Sequence, residues 1–260
     1  MSKVKEDVAI PAIKGKDELA YYEVLQGLND IAEDKNIKKV IIDVDELSLT
    51  FSQMEEISKI FDKIRKNKEV VAIGTLFDEN KYRQALLADK IYMLDTRQST
   101  FIFRGYLHKE LYLKSFLEKF GVKMNVLHIG NYKVAGEKYN HNEMSEEKKE
   151  SIKNIKDKIF EGFVKLVKDK RGTDIEEEIL NGDLIFAGKE KALEYKLIDG
   201  VADYDEIGIN YKEDTVSLED YVSMSKEKKE KAKDTIAVIN LEGVIDGRNS
   251  KKSITYENVC

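Results

Sequence analysis

Apolar positions along this chain alternate between two spacings. Leu19, Tyr22, Leu25, Leu28 and Ile31 fall on one face of a helix, and Phe51, Met54, Ile57, Phe61 and Ile64 repeat the pattern. Lys38–Val44 (KKVIIDV) and Val70–Leu76 (VVAIGTL) are instead continuous apolar runs, as expected of strands buried on both faces. A helix around Tyr82–Ala88 leads into a short strand over Lys90–Leu94. Strands alternating with helices imply right-handed crossovers, so the pattern predicts an α/β fold, a mainly parallel sheet flanked by helices. Further on, Leu107, Leu111, Phe116, Leu117 and Phe120 predict a helix stopped by Gly121, and Lys123–Ile129 (KMNVLHI) predicts a strand. Ser145 stands where it would cap a long helix running through Ile152, Ile155, Ile159, Phe163 and Leu166 to about Lys170. Glu146 and Glu147 suit that helix's positive end. Lys189–Tyr195 predicts a short helix and Leu197–Val201 a strand, while residues 1–15, with the lone proline Pro11, read as irregular.

The pattern changes after Tyr211. Residues 1–211 read as one domain, 212–234 as a charged linker containing the run Lys226–Lys233 (KEKKEKAK), and 235–260 as the opening strand of a second domain, with Thr235–Ile245 (TIAVINLEGVI) as its core. Of 260 residues, 42% are hydrophobic, enough to build a core. The 44 basic and 50 acidic residues are interspersed and leave a net charge of −6, which argues against nucleic acid as a partner. The single cysteine, Cys260, excludes a disulfide framework and a cysteine-based zinc site. No apolar run is long enough to span a membrane and the first ten residues are not a signal peptide, so the chain is expected to be soluble.

Candidate chemistry is sparse. His108, His128 and His141 are far apart and form no ligand motif, and His128, inside an apolar segment, is expected to be a buried neutral imidazole. No GxSxG elbow marks a catalytic triad, and Gly243 and Gly247 lack the rest of a phosphate loop. Asp43 and Asp45 stand at the carboxyl end of a predicted parallel strand, where α/β sites lie, and share a face if the strand continues. Glu55 and Glu56 form a second carboxylate pair. The segment Val126–Tyr139 (VLHIGNYKVAGEKY) places Lys133 just past a predicted strand, beside the small residues Ala135 and Gly136. A lysine so placed can act as a general base if it is held neutral, its pKa falling from about 10.4 to about 7–8. Burial and neighbouring positive charge supply such a shift. The chain has only six arginines, so lysines are abundant and spacing alone singles out none of them.

From about Tyr21 to Asp203 the sequence resembles the long form of bacterial signal peptide peptidase, or protease IV. The resemblance lies in NIKKVIIDV, in ALLADKIYM (Ala85–Met93), and in GYLHKELYLKSFLEKFGVKMNVLHIGNYKVAGEKY (Gly105–Tyr139). It continues in NEMSEEKKES (Asn142–Ser151) and FAGKEKALEYKLIDGV (Phe186–Val201), the last shared with the wider ClpP/crotonase superfamily. The resemblance implies a ClpP/crotonase-like fold and a serine peptidase with a Ser-Lys dyad, acting on cleaved signal peptides without metal or cofactor. It implies two homologous halves per chain, assembly into rings, and a membrane anchor in the parent enzyme. Lys133 matches the general-base lysine, which belongs to the amino-terminal half.

The departures point the same way. Where the superfamily has a Ser-Gly-Gly-Tyr-type nucleophile block, this chain reads Glu79-Asn80-Lys81-Tyr82, and Glu46-Leu47-Ser48-Leu49 replaces the Gly-Gly oxyanion loop. The resemblance therefore implies an amino-terminal half that holds the base, has no nucleophile of its own, and needs the carboxy-terminal half for its serine. It also implies that the half's first strand is absent, a place that Ile236–Leu241 has the pattern to fill. Two other readings compete: a non-catalytic assembly module of the same fold, and a crotonase-type acyl-CoA enzyme, whose oxyanion loop the Glu46–Leu49 region does not offer.

Overall fold

The uninterrupted Val/Ile runs become central strands because both of their faces are covered. This is seen in a computed structural model that describes residues 7–10, 20–207, 215–228, 244–245 and 253–254. In chain order the elements are β1 (Asp7–Ile10), α1 (Tyr21–Glu33), β2 (Lys39–Asp43), α2 (Phe51–Ile64), β3 (Glu69–Gly74), β4 (Leu76–Phe77) and α3 (Glu79–Ala85). There follow β5 (Lys90–Leu94), β6 (Thr100–Ile102), α4 (Lys114–Lys119), α5 (Glu137–Asn140), α6 (Glu146–Arg171) and α7 (Glu176–Leu180). The last are β7 (Ile185–Ala187), α8 (Lys189–Glu194), β8 (Gly200–Ala202), β9 (Thr215–Ser217), α9 (Leu218–Lys228), β10 (Val244–Ile245) and β11 (Ser253–Ile254).

Six strands pair in the order β8-β5-β3-β2-β1-β9, every pair parallel. This is the mainly parallel, helix-flanked α/β architecture that the alternating pattern predicts. Side chains alternate across the sheet. Val40, Ile42, Val70, Ala72, Ile91 and Met93 face the main core with α1, α2 and α6, while Ile41, Ile73 and Leu94 face the other side with Tyr92, Tyr204 and Ile207. A second sheet, β4-β6-β7, carries Phe77 and Phe101, stacked with ring centroids 4.9 Å apart. Tyr82 of α3 packs edge-on to both and donates its hydroxyl to the Leu197 carbonyl at 2.7 Å, tying α3 to the segment before β8.

The chain divides into two compact units, Met1–Ser223 and Met224–Cys260. In the first, Gly27 of α1 packs so closely on α9 that an added Cβ would lie 2.5 Å from Val222 Cγ2. In the second, β10 and β11 pair in parallel.

Three expectations need correction. Residues 7–10 are not irregular: they form β1, between β2 and β9, and the place beside β2 is therefore filled. Ile236–Leu241, the segment expected to fill it, lies outside the described residues. The helix expected across Leu107–Phe120 is confined to Lys114–Lys119, because the Leu113 amide donates to the Lys138 carbonyl at 2.6 Å instead of to a preceding turn. Its stop signal is real, since Gly121 takes φ 70° and donates to the Glu118 carbonyl. The expected strand at Lys123–Ile129 has no partner strand among the described residues and stays irregular and largely exposed.

Candidate active site

After Phe103 the chain leaves the sheets as an arm and returns to the main core only at α6. Phe103 is fully buried, and its amide still bonds the Leu184 carbonyl. From there Leu107, Leu111, Phe116, Phe120, Val122, Met124, Leu127, Ile129 and Tyr132 all stand exposed. The arm thus gathers more than half of the large exposed apolar side chains among the described residues.

The start of α6 holds the returning limb. Ser145 caps the helix, its hydroxyl accepting from the Lys148 amide at 3.3 Å. The same hydroxyl donates to the buried carboxylate of Glu137. Lys148, nearly buried, pairs with Glu110, which also accepts from the Tyr112 hydroxyl at 3.0 Å. The hydrogen bond from Lys148 holds the Glu110 carboxyl below its ordinary range. Ser115 bonds Asn142 through amide and hydroxyl, at 3.2 and 2.6 Å, and Tyr132 donates to Glu150 at 2.8 Å.

Lys133 sits in the loop between these anchors. The loop closes on itself: a Cβ on Gly136 would lie 2.3 Å from Val126 Cγ1, so only glycine permits this approach. Gly130, at φ 90°, turns the chain, and its carbonyl accepts from the Lys133 amide at 3.3 Å. Lys133 is exposed, and its ammonium meets no hydrogen-bond or ion-pair partner among the described residues. It borders an open concavity of about 1030 Å³ lined by Val126, Leu127, His128, Ile129, Tyr132 and Val134. His128 is not buried: it is exposed, and its Nδ1 lies 3.1 Å from the Gly130 carbonyl. The apolar letters around it belong to the arm's surface and not to a core.

The two strand-end aspartates do not act as a pair. β2 ends at Asp43, whose carboxylate accepts from the Tyr204 hydroxyl at 3.0 Å and from the Asp45 amide at 3.0 Å. Burial pushes the Asp43 carboxyl up, against the pull of those bonds. Asp45, in the turn beyond, accepts from the Thr75 amide and hydroxyl, both at 2.7 Å, from the Leu76 amide at 3.3 Å and from Lys81 Nζ at 3.0 Å. Burial alone would raise its carboxyl, but the bonds from Thr75 and Lys81 hold it below the usual carboxylate range. The Thr75 and Leu76 amides, just past β3, thus already hold an anion and are not free to act as oxyanion donors.

Glu55 and Glu56 lie exposed on α2, where Glu56 accepts from Tyr21 at 2.9 Å. His108 stands 4.0 Å from Glu110, and His141 ends α5. Among the described residues no group of three or more His, Cys, Asp or Glu could hold a metal ion. No described helix is long and apolar enough to cross a membrane. The Glu110–Lys148 and Glu137–Ser145 pairs escaped the sequence reading. They form because an irregular limb folds back on a helix start, and no residue spacing encodes that.

A parallel sheet with helices on its faces and a long lysine-bearing insertion defines the class: an α/β protein with an elaborated arm between β6 and β7 of its second sheet. The profile of Peptidase family S49 matches residues 62–219, more than half of the chain, and the chain belongs to that family. Protease 4 of Salmonella typhi is 23% identical over 195 residues, an alignment covering 71% of this chain and 31% of that protein. Protease 4 of Haemophilus influenzae is 22% identical over 266 residues, covering 93% and 43%. The chloroplastic serine protease SPPA of Arabidopsis thaliana is 26% identical over 155 residues, covering 58% and 23%. The chain therefore spans less than half the length of each of these relatives. Among solved structures, an enoyl-CoA hydratase/isomerase from Xanthobacter autotrophicus Py2 aligns at a TM-score of 0.33 and 15% identity, covering 71% of this chain and 57% of that one. That likeness is too slight to bear on chemistry.

Proposed function

We propose that this chain supplies the general base, Lys133, to a serine peptidase of the protease IV type that degrades cleaved signal peptides. The nucleophilic serine comes from a carboxy-terminal half outside residues 1–260, and the parent enzyme is anchored to the bacterial cytoplasmic membrane. The observation that carries this reading is the place of Lys133. It is an exposed ammonium without a partner among the described residues, on a glycine-closed loop at the rim of an open apolar concavity, within the stretch matched to the S49 family.

Lys133 takes the serine proton as the hydroxyl attacks the peptide carbonyl, passes it to the leaving amine, and then deprotonates the water that releases the acyl group. A neutral lysine needs desolvation, and an exposed one has none of its own. The cover must come from a surface seated over the arm. Leu127 and Ile129, 97% and 88% exposed beside Lys133, are the side chains such a surface would bury. Self-association into a ring, bringing lysine and serine halves together, meets that need.

The test combines fluorophosphonate labelling with quenched-peptide cleavage, on the chain alone and mixed with the serine-bearing half of a Protease 4 relative. Labelling and cleavage are expected only in the mixture and are lost with Lys133→Ala. Silence in the mixture, from a folded chain that binds its partner half, would favour a non-catalytic assembly module.

A further inference from the structure

The arm leaves the body of the protein at one point, and a buried carboxylate stands there. Glu79, the first residue of α3, is 9% exposed. Its Oε1 accepts from the Arg104 amide and the Gly105 amide, both at 2.7 Å. It forms no ion pair with any described residue, so these two N–H groups are what compensate its charge. Burying an unpaired carboxylate is costly, and it is tolerated where the hydrogen bonds it receives are strong and fixed in geometry.

The chain held by Glu79 is also the chain that turns. Gly105 takes φ 70°, a conformation that L side chains rarely adopt, and two residues earlier the Phe103 amide still bonds the Leu184 carbonyl beside β7. The next residue, Tyr106, accepts from Arg83 Nη2 at 3.3 Å through its hydroxyl. Glu79 and Arg83 are four residues apart and so share one face of α3. Arg83 is itself held, by a bond to the Ile159 carbonyl at 2.8 Å and by the Phe163 ring, 4.9 Å from its guanidinium. α3 therefore fixes the direction in which the arm departs, as α6 fixes its return.

We propose that Glu79 is a positioning residue: it acts through the Arg104–Gly105 backbone to set the path of the arm that presents Lys133. This inference rests on the reading of Lys133 as the base. A small angular change at the pivot is carried along the arm, and a general base must be within hydrogen-bond reach of the proton it takes.

Amide hydrogen exchange on the full chain tests it, comparing wild type with Glu79→Ala and Glu79→Gln. The expected result for Glu79→Ala is at least tenfold faster exchange at Arg104 and Gly105 and faster exchange through residues 126–136, with β2 and β3 still protected. Glu79→Gln, which keeps the accepting oxygen, restores most of the protection. Unchanged exchange in Glu79→Ala would overturn the proposal. So would an increase shared equally by β2 and β3, which marks a general structural role, or a Gln variant as loose as the Ala variant. If Glu79→Ala does not fold, Glu79→Gln decides: a modest acceleration confined to residues 104–136 supports the proposal, and one spread through the sheets, or none at all, overturns it. In the mixture with the serine-bearing half, Glu79→Ala is expected to lower kcat with KM little changed. The exchange readout does not depend on catalysis, so it stands if Lys133 proves not to be the base, and the two readings fail separately.

Discussion

Asp43 and Asp45 have the same side chain, two residues apart, yet the fold pushes them in opposite directions. Hydrogen bonds hold the Asp45 carboxyl below its ordinary value, so the stability it contributes is present above the unfolded pKa, about 3.9, and is lost as pH falls through the lower folded value. Burial raises the Asp43 carboxyl, so its contribution is full below the unfolded value and is lost as pH rises through the folded one. Urea unfolding across pH 3–8 separates the two. Asp45→Asn is expected to cost about 1–3 kcal/mol at pH 7, with the deficit shrinking below about pH 4. Asp43→Asn is expected to be neutral or stabilising at pH 7. An Asp45→Asn variant as stable as wild type at pH 7 would mean that the Thr75–Lys81 cradle does not need a carboxylate. The sequence marked both residues correctly as lying at a strand end. It did not separate them, because their partners, Tyr204 on one side and Thr75 and Lys81 on the other, are distant in sequence.

Helices with a buried stripe were legible, and irregular segments were not. α1, α2 and α6 appear where helical spacing puts them, because Val24, Leu28 and Ile31, then Ile57, Phe61 and Ile64, then Phe163 and Val167, all meet the main core. Lys123–Ile129 has equally apolar letters but pairs with no strand among the described residues, and hydrophobic pattern alone cannot tell a core strand from an exposed segment of an arm. Short elements such as β4, β6 and β7 are too brief to leave a period. The cap of α6 links the two kinds of structure. Ser145→Ala removes the cap and also the donor to the buried Glu137, so its cost is expected near the upper end of the usual range, about 2 kcal/mol. A loss under about 0.5 kcal/mol in equilibrium unfolding would show that the Glu137–Ser145 contact is incidental. Lys133 is singled out by resemblance alone; its spacing offers little, since the glycine loop that presents it is closed by Val126 and Gly136 and by no repeating pattern.

At the scale of the molecule, the arm interleaves charged side chains with exposed apolar ones. The net charge of −6 is spread along the chain, while large exposed apolar side chains gather in the arm. If the arm is where copies or halves meet, Leu127→Asp with Ile129→Asp is expected to shift sedimentation toward the monomer without lowering the melting temperature, since neither side chain is part of the core. An unchanged sedimentation profile would place the contact elsewhere.

The order of the main sheet has a consequence for how the chain is made. β1 lies between β2, which follows it closely, and β9, which comes almost at the end of the first unit. During synthesis, at about 5–20 residues per second, β1, β2, β3 and β5 all leave the ribosome well before Thr215–Ser217. For that interval one side of β1 has no strand to pair with, and an unpaired strand edge is a template for another chain. The nascent polypeptide is thus exposed to mispairing between neighbouring ribosomes on one message, a hazard that ends only when β9, the last strand of the main sheet, arrives.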